Sequence, residues 1–180
     1  MKAVLRTLWV LLLGVSVLVA KSSWFADLVI APLDPSPLVP MVVFLAIAPN
    51  ISIARGMTTA FLLGYLGDVF QGTSLGLEAF MMSLTFILTR TIGARFILLR
   101  NIVYQSVAAG VAGALVCGGA MATRAVFEPP VPLPLDDQAH IALTILGAGL
   151  ATGLVAPLFF ELMRRIEALY SRRDEGGVLA

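Results

Sequence analysis

Residues 101–123 read NIVYQSVAAGVAGALVCGGAMAT, a run of 23 positions without a charged side chain. Crossing the roughly 30 Å hydrocarbon core of a bilayer takes about 20 apolar residues in a helix, and a charge at mid-depth costs about 3 kcal/mol. The run is therefore read as a transmembrane helix, and the same reading extends outward along the chain. Residues 35–54 and 141–160 are further charge-free runs of 20 positions each. A shorter one, residues 7–20, lies between Arg6 and Lys21, whose long side chains reach the interfaces and lengthen it. Of 180 residues, 12 are basic and 11 acidic, while 59% are hydrophobic. A soluble domain carries about a quarter of its residues as charges, so the solvent of this chain is mostly lipid.

Asp68 and Glu78 divide residues 56–89 into apolar pieces too short to cross alone. Gly72-Thr73-Ser74 between them is turn-forming, which makes the stretch a helical hairpin. The fold class is then all-α: an integral membrane protein, a compact bundle of six transmembrane helices over about 6–22, 37–49, 51–70, 75–93, 101–124 and 139–163, forming one membrane domain with a short tail at 166–180. Sorting the basic residues on this frame puts Lys2, Arg6, Arg55, Arg90, Arg95, Arg100, Arg164, Arg165, Arg172 and Arg173 on the side of the N-terminus, and only Lys21 and Arg124 opposite. By the positive-inside rule both termini are cytoplasmic. The opposite side carries Asp27, Asp34, Glu128, Asp136 and Asp137. The first helix reads as an uncleaved span, because cleavage after Ala20 would set Leu18 where a signal peptidase site wants a small residue. Between Glu128 and Pro134 the outer connection is rich in proline and stiff; it is either a plain connector or a preformed contact strip for a partner.

Composition also limits the chemistry. Cys117 is the only cysteine and His140 the only histidine, so neither an intramolecular disulfide nor a Cys/His metal cluster can form. A net charge of +1 offers no surface for nucleic acid. No HExxH, phosphate-binding glycine loop or GxSxG occurs, and the chain reads as non-enzymatic, with no cofactor and no metal.

What stands out instead are small residues at helical spacing. Gly110, Ala114, Gly118 and Ala122 follow one another at intervals of four, as do Gly149 and Gly153, and as do Ala60, Gly64 and Asp68. Such faces let helix backbones approach closely in lipid, either within the bundle or against a partner. If its helix begins near Ile51, Asp68 lies near the outer interface, where it is solvated, caps the Gly72-Thr73-Ser74 turn or pairs within the bundle; if the helix begins after Arg55 it is an intramembrane ionisable group. Glu78 stands close to the start of the fourth helix, where the helix dipole favours a carboxylate. Arg164 and Arg165 are placed at the inner lipid headgroups, with a cytoplasmic protein contact as the other reading.

The stretch Gly64-Tyr65-Leu66-Gly67-Asp68-Val69-Phe70-Gln71-Gly72-Thr73-Ser74-Leu75-Gly76 resembles the signature of the bacterial rod shape-determining family MreD. In that family a glycine, an aspartate four residues later, a glycine four beyond and a Leu-Gly pair run across a hairpin between the third and fourth helices. Gly64, Asp68, Gly72, Leu75 and Gly76 stand at those positions. Pro37-Leu38-Val39-Pro40, Leu99-Arg100-Asn101, Pro157 and Leu162-Met163-Arg164-Arg165 add to the likeness, which covers nearly the whole chain. The proline-rich loop from Glu128 to Pro134 departs from many relatives.

The resemblance implies a multi-pass protein of the bacterial inner membrane that binds rather than catalyses. Its direct partner would be MreC, and through it the rod complex of MreB, RodA and the transpeptidase paired with RodA. It would act as a scaffold that helps position peptidoglycan synthesis and maintain rod shape. A different class, the substrate-binding membrane subunit of an energy-coupling-factor vitamin transporter, shares the size and the six helices. An ion-coupled carrier is a third reading and requires both Asp68 and Glu78 inside the bundle.

Overall fold

The computed structural model describes residues 2–24, 35–48, 51–71, 75–93, 101–127 and 138–175. They form six helices: α1 Lys2–Trp24, α2 Leu38–Ile47, α3 Ile53–Gln71, α4 Leu77–Gly93, α5 Ile102–Phe127 and α6 Gln138–Glu175. The all-α, six-helix expectation is met. In α6 the helix runs on to Glu175, through much of the stretch read as a tail from residue 166. Gly72-Thr73-Ser74, Arg95, Arg100 and the loop from Glu128 to Pro134 lie outside the described residues.

α3 packs chiefly on α4 and α5 chiefly on α6, while α4 joins the two hairpins. α1 lies against α3, burying Val10, Gly14 and Leu18, one turn apart along a single face. The arc α1, α3, α4, α5, α6 closes around α2, which has neighbours on α3, α4, α5 and α6.

α2 departs from the expected second span. Its sequence, LVPMVVFLAI, is apolar all round, which is the pattern of a helix buried on every side. Only Phe44 and Ile47 are less than fully buried, and Phe44 packs on Phe160 of α6 with ring centroids 6.2 Å apart. Pro40 falls in the first turn, where a missing N–H loses no intrahelical bond. At 10 residues the helix is about 15 Å long and cannot cross a bilayer core alone. The charge-free run of residues 35–54 had the right length for a span, but it is shared between α2 and the start of α3.

Apolar character is distributed outward. On α6, Leu146, Leu150, Leu154 and Leu158 are exposed in one stripe, Leu154 to 78%, and on α3 Ile53, Met57, Phe61 and Tyr65 do the same. Inside lie Ala60, Ala109, Ala148, Ala156 and the polar Thr59, Asp68, Gln105 and Thr152. In water this arrangement would leave large apolar patches uncovered; in lipid it is favourable, because close packing and interior hydrogen bonds hold the helices together. Two helices, Ile102–Thr123 and Ala139–Ile166, are long and apolar enough to cross a membrane. The protein is a membrane-associated bundle of apolar helices.

Candidate functional site

At one end of the bundle, the residues of the hairpin motif converge. Asp68 lies in the last turn of α3 and is fully buried. Its Oδ2 accepts the N–H of Gly76 at 2.9 Å and that of Ala79 at 3.3 Å, and its Oδ1 accepts the N–H of Glu78 at 2.9 Å. Since α4 begins at Leu77, Asp68 caps a neighbouring helix, supplying a carboxylate to N–H groups that have no partner within it. The negative charge also meets the positive end of the α4 dipole. Asp68 is thus buried within the bundle, with its carboxylate on backbone donors at the start of α4.

The glycines permit this approach. A Cβ on Gly64 would stand 2.6 Å from Ala79 Cα and from the Glu78 carbonyl oxygen, so α3 and α4 touch backbone to backbone there. Gly76 has φ +98°, a conformation that side chains rarely adopt, and this turns the chain so that its N–H faces Asp68. Gly67 leaves room for the Glu78 carboxylate, which accepts from Gln71 Nε2 at 2.7 Å. Leu75 is exposed at the turn, and Ala60 is buried one turn before Gly64.

The opposite end is organised by arginine. Arg90, in the last turn of α4, donates through Nη1 to the carbonyls of Ala46 (2.9 Å) and Ala48 (2.8 Å) and through Nη2 to that of Ile51 (3.2 Å). These are carbonyls at the C-terminal end of α2 and in the turn that follows, where the helix dipole is negative. The N-terminal end of α2 is tied by Thr152: its Oγ1 accepts the Ser36 N–H at 3.1 Å and donates to the Ala148 carbonyl at 2.6 Å. This interior helix is therefore tied to other helices near both ends, through Ser36 just before it and through its last carbonyls. Arg164, expected at the headgroups or against a cytoplasmic protein, donates from Nη2 to Oε1 of the buried Gln105 at 3.0 Å. Arg165 pairs with Glu161 at 3.1 Å on the exposed side of α6.

The small residues of the long helices meet each other. A Cβ on Gly110 would lie 3.0 Å from the Gly149 carbonyl oxygen, one on Gly149 would lie 2.9 Å from that of Gly110 and 3.0 Å from the Ala114 Cβ, and one on Gly153 would lie 3.2 Å from that of Ser106. Gly118 is looser, its nearest neighbour being Ile145 Cδ1 at 3.4 Å. Lipid-facing side chains rise beside this seam and leave an apolar groove of about 370 Å³ between α5 and α6.

Arg90, Thr152 and Gln105 were not singled out from the sequence. Their signal was register: Arg90 follows buried Phe86 by four, Gln105 precedes buried Ala109 by four, and Thr152 precedes buried Ala156 by four. A polar residue in line with an apolar interior face is a polar residue aimed inward.

No known protein family, no curated protein and no solved structure matches the chain. The fold and these contacts define a membrane-associated helical bundle with an interior helix tied to its neighbours near both ends and a hairpin locked by one aspartate.

Proposed function

We propose that this chain is a non-catalytic scaffold of the bacterial inner membrane, of the kind the MreD resemblance implies, that holds the membrane-spanning helix of MreC within the rod complex. The observation that carries the reading is the hairpin lock. Gly64, Asp68 and Gly76, three of the positions matched to the MreD signature, each have a distinct physical task in joining α3 to α4. The cations Arg55, Arg90, Arg164 and Arg165 gather at the other end, which supports a cytoplasmic placement of that end and of both termini. The shortness of α2 leaves this orientation intact, because the chain still passes from the hairpin end to the basic end between α1 and α3.

In this reading the lipid-facing stripes present helix-sized apolar surfaces to a single-pass partner, and MreB, RodA and its transpeptidase are reached through MreC. The test is co-purification with MreC from several detergents, with single cysteines placed at exposed positions such as Phe61 and Leu158 for cross-linking. Recovery of MreC with cross-links confined to one face is expected. Absence of MreC in every detergent would sink the reading, and a retained vitamin in native mass spectrometry would move it to the transporter class.

A further inference from the structure

Four hydroxyl side chains lie along α4, and two of them differ from the others. Ser83 and Thr91 turn back on their own helix, donating to the carbonyls of Ala79 and Ile87 at 2.8 and 2.9 Å, the common way for a helical hydroxyl to find an acceptor. Thr85 and Thr89 make no hydrogen bond among the described residues. At about 100° per residue they share one face of α4, with Ser83 and Thr91 on the opposite side. That face borders a cavity of about 220 Å³ between α4 and α5. Thr85 is 6% exposed, yet no fully enclosed side-chain oxygen among the described residues lacks a partner. Its hydroxyl is therefore reachable, and the space that reaches it is this cavity, which it lines together with Thr89.

We propose that the cavity seats one diacyl lipid of the basic-side leaflet, whose ester carbonyls accept hydrogen bonds from Thr85 and Thr89. A hydroxyl held away from water needs an acceptor, and hydrocarbon tails carry none. The lipid acceptors nearest this depth are the ester carbonyls at the boundary of the hydrocarbon core. Thr89 stands beside Arg90 in the last turns of α4, toward the basic end. One helical turn, about 6 Å, separates the two hydroxyls, and the two esters of a diacyl lipid hang from neighbouring carbons of one glycerol. Size agrees with this occupant. The cavity runs from Thr85 to Ile92, about 10 Å along α4, which leaves it about 20 Å² in section. That is room for one hydrocarbon chain and too narrow for a helix about 10 Å across. Ala108 and Ala112 of α5 give the cavity depth, and the exposed, apolar Leu88 and Leu115 form its rim, so it opens toward lipid. The site requires α4 and α5 to lie in the membrane, and it stands whether or not MreC is the protein partner.

The test is native mass spectrometry of the full chain in neutral detergent, titrated with diester phosphatidylglycerol and with its diether analogue, which has the same chains and headgroup but no carbonyls. Wild type should bind one diester lipid about fivefold more tightly than the diether, in line with the net worth of a neutral hydrogen bond. Thr85→Val keeps the side-chain shape and should erase most of that preference. Thr89→Val, at a half-buried position, should reduce it, and it serves if Thr85→Val does not fold. Thr91→Val, whose hydroxyl bonds its own helix, should keep it. Equal binding of diester and diether by the wild type, an equal loss in Thr91→Val, or a cavity filled by water or by a partner's side chain with no lipid retained would each overturn the proposal.

Discussion

The guanidinium of Arg90 lies 2.8 Å from the carbonyl oxygen of Ala48, 42 positions earlier in the chain. With Ala46 and Ile51 also bound, one side chain closes the end of α2 and positions the turn into α3. Arg90→Met keeps an apolar stem but leaves three carbonyls to find other partners; Arg90→Lys has one ammonium for the same set. Hydrogen bonds to charged groups are worth about 1.5–3 kcal/mol each, so Arg90→Met should destabilise by about 3 kcal/mol and Arg90→Lys by less. Reversible unfolding by SDS in mixed micelles measures both, and hydrogen exchange should show the gain in opening concentrated in α2. Equal stability of the methionine variant and wild type would remove the capping role.

Asp68→Ala should cost about 2–3 kcal/mol, more than the roughly 1 kcal/mol of an ordinary exposed cap, because the residue is buried and serves three backbone donors. Asp68→Asn keeps one acceptor oxygen and should fall between. In a transport assay the asparagine variant would lose function with stability unchanged if Asp68 carried ions, so measuring unfolding alongside separates the two roles.

Substitutions of the hairpin glycines should fail for different reasons. Gly64→Ala drives a Cβ into backbone atoms at 2.6 Å that cannot turn aside, an overpacking penalty of about 1–3 kcal/mol. Gly76→Ala meets open space but holds a side chain at φ +98°, about 1–2 kcal/mol. A cysteine pair across α3 and α4 should therefore show altered spacing in the Gly64 variant and native spacing in the Gly76 variant.

Along the α5–α6 seam the rank order is itself a prediction. Gly149→Ala, with a carbonyl at 2.9 Å and the Ala114 Cβ at 3.0 Å, should be the more damaging, and Gly118→Ala, facing the flexible end of Ile145 at 3.4 Å, should be within about 0.5 kcal/mol of wild type. The same SDS titration distinguishes them, and an inverted order would show that the seam does not hold the two helices at this distance.

Thr152→Val preserves shape and removes the acceptor for the Ser36 N–H. An interior donor left alone costs about 1–3 kcal/mol, whereas Thr152→Ser should retain most of the stability. Exchange of the Ser36 amide reports this bond directly.

Much of the fold was legible because lipid makes charge expensive. The gaps between charged residues marked where helices run, and the turn chemistry between Asp68 and Glu78 marked a hairpin. Depth was less legible: a charge-free run looks the same whether it crosses the bilayer or ends at mid-bundle, and the run from Pro35 to Ala54 does neither as one helix. The glycine spacing on α5 and α6 announced close packing, but which face of each helix met the other depended on the partner helix.

By itself, the sequence determined the helix number, the apolar exterior and the position of the hairpin, since these follow from local hydrophobic pattern and backbone preference. Only the tertiary structure decided the tasks of Asp68, Arg90 and Thr152. Each satisfies backbone groups in or beside another helix, from 8 to 116 positions away, and in an apolar interior those unsatisfied groups choose their partners by proximity in space, which no local pattern records.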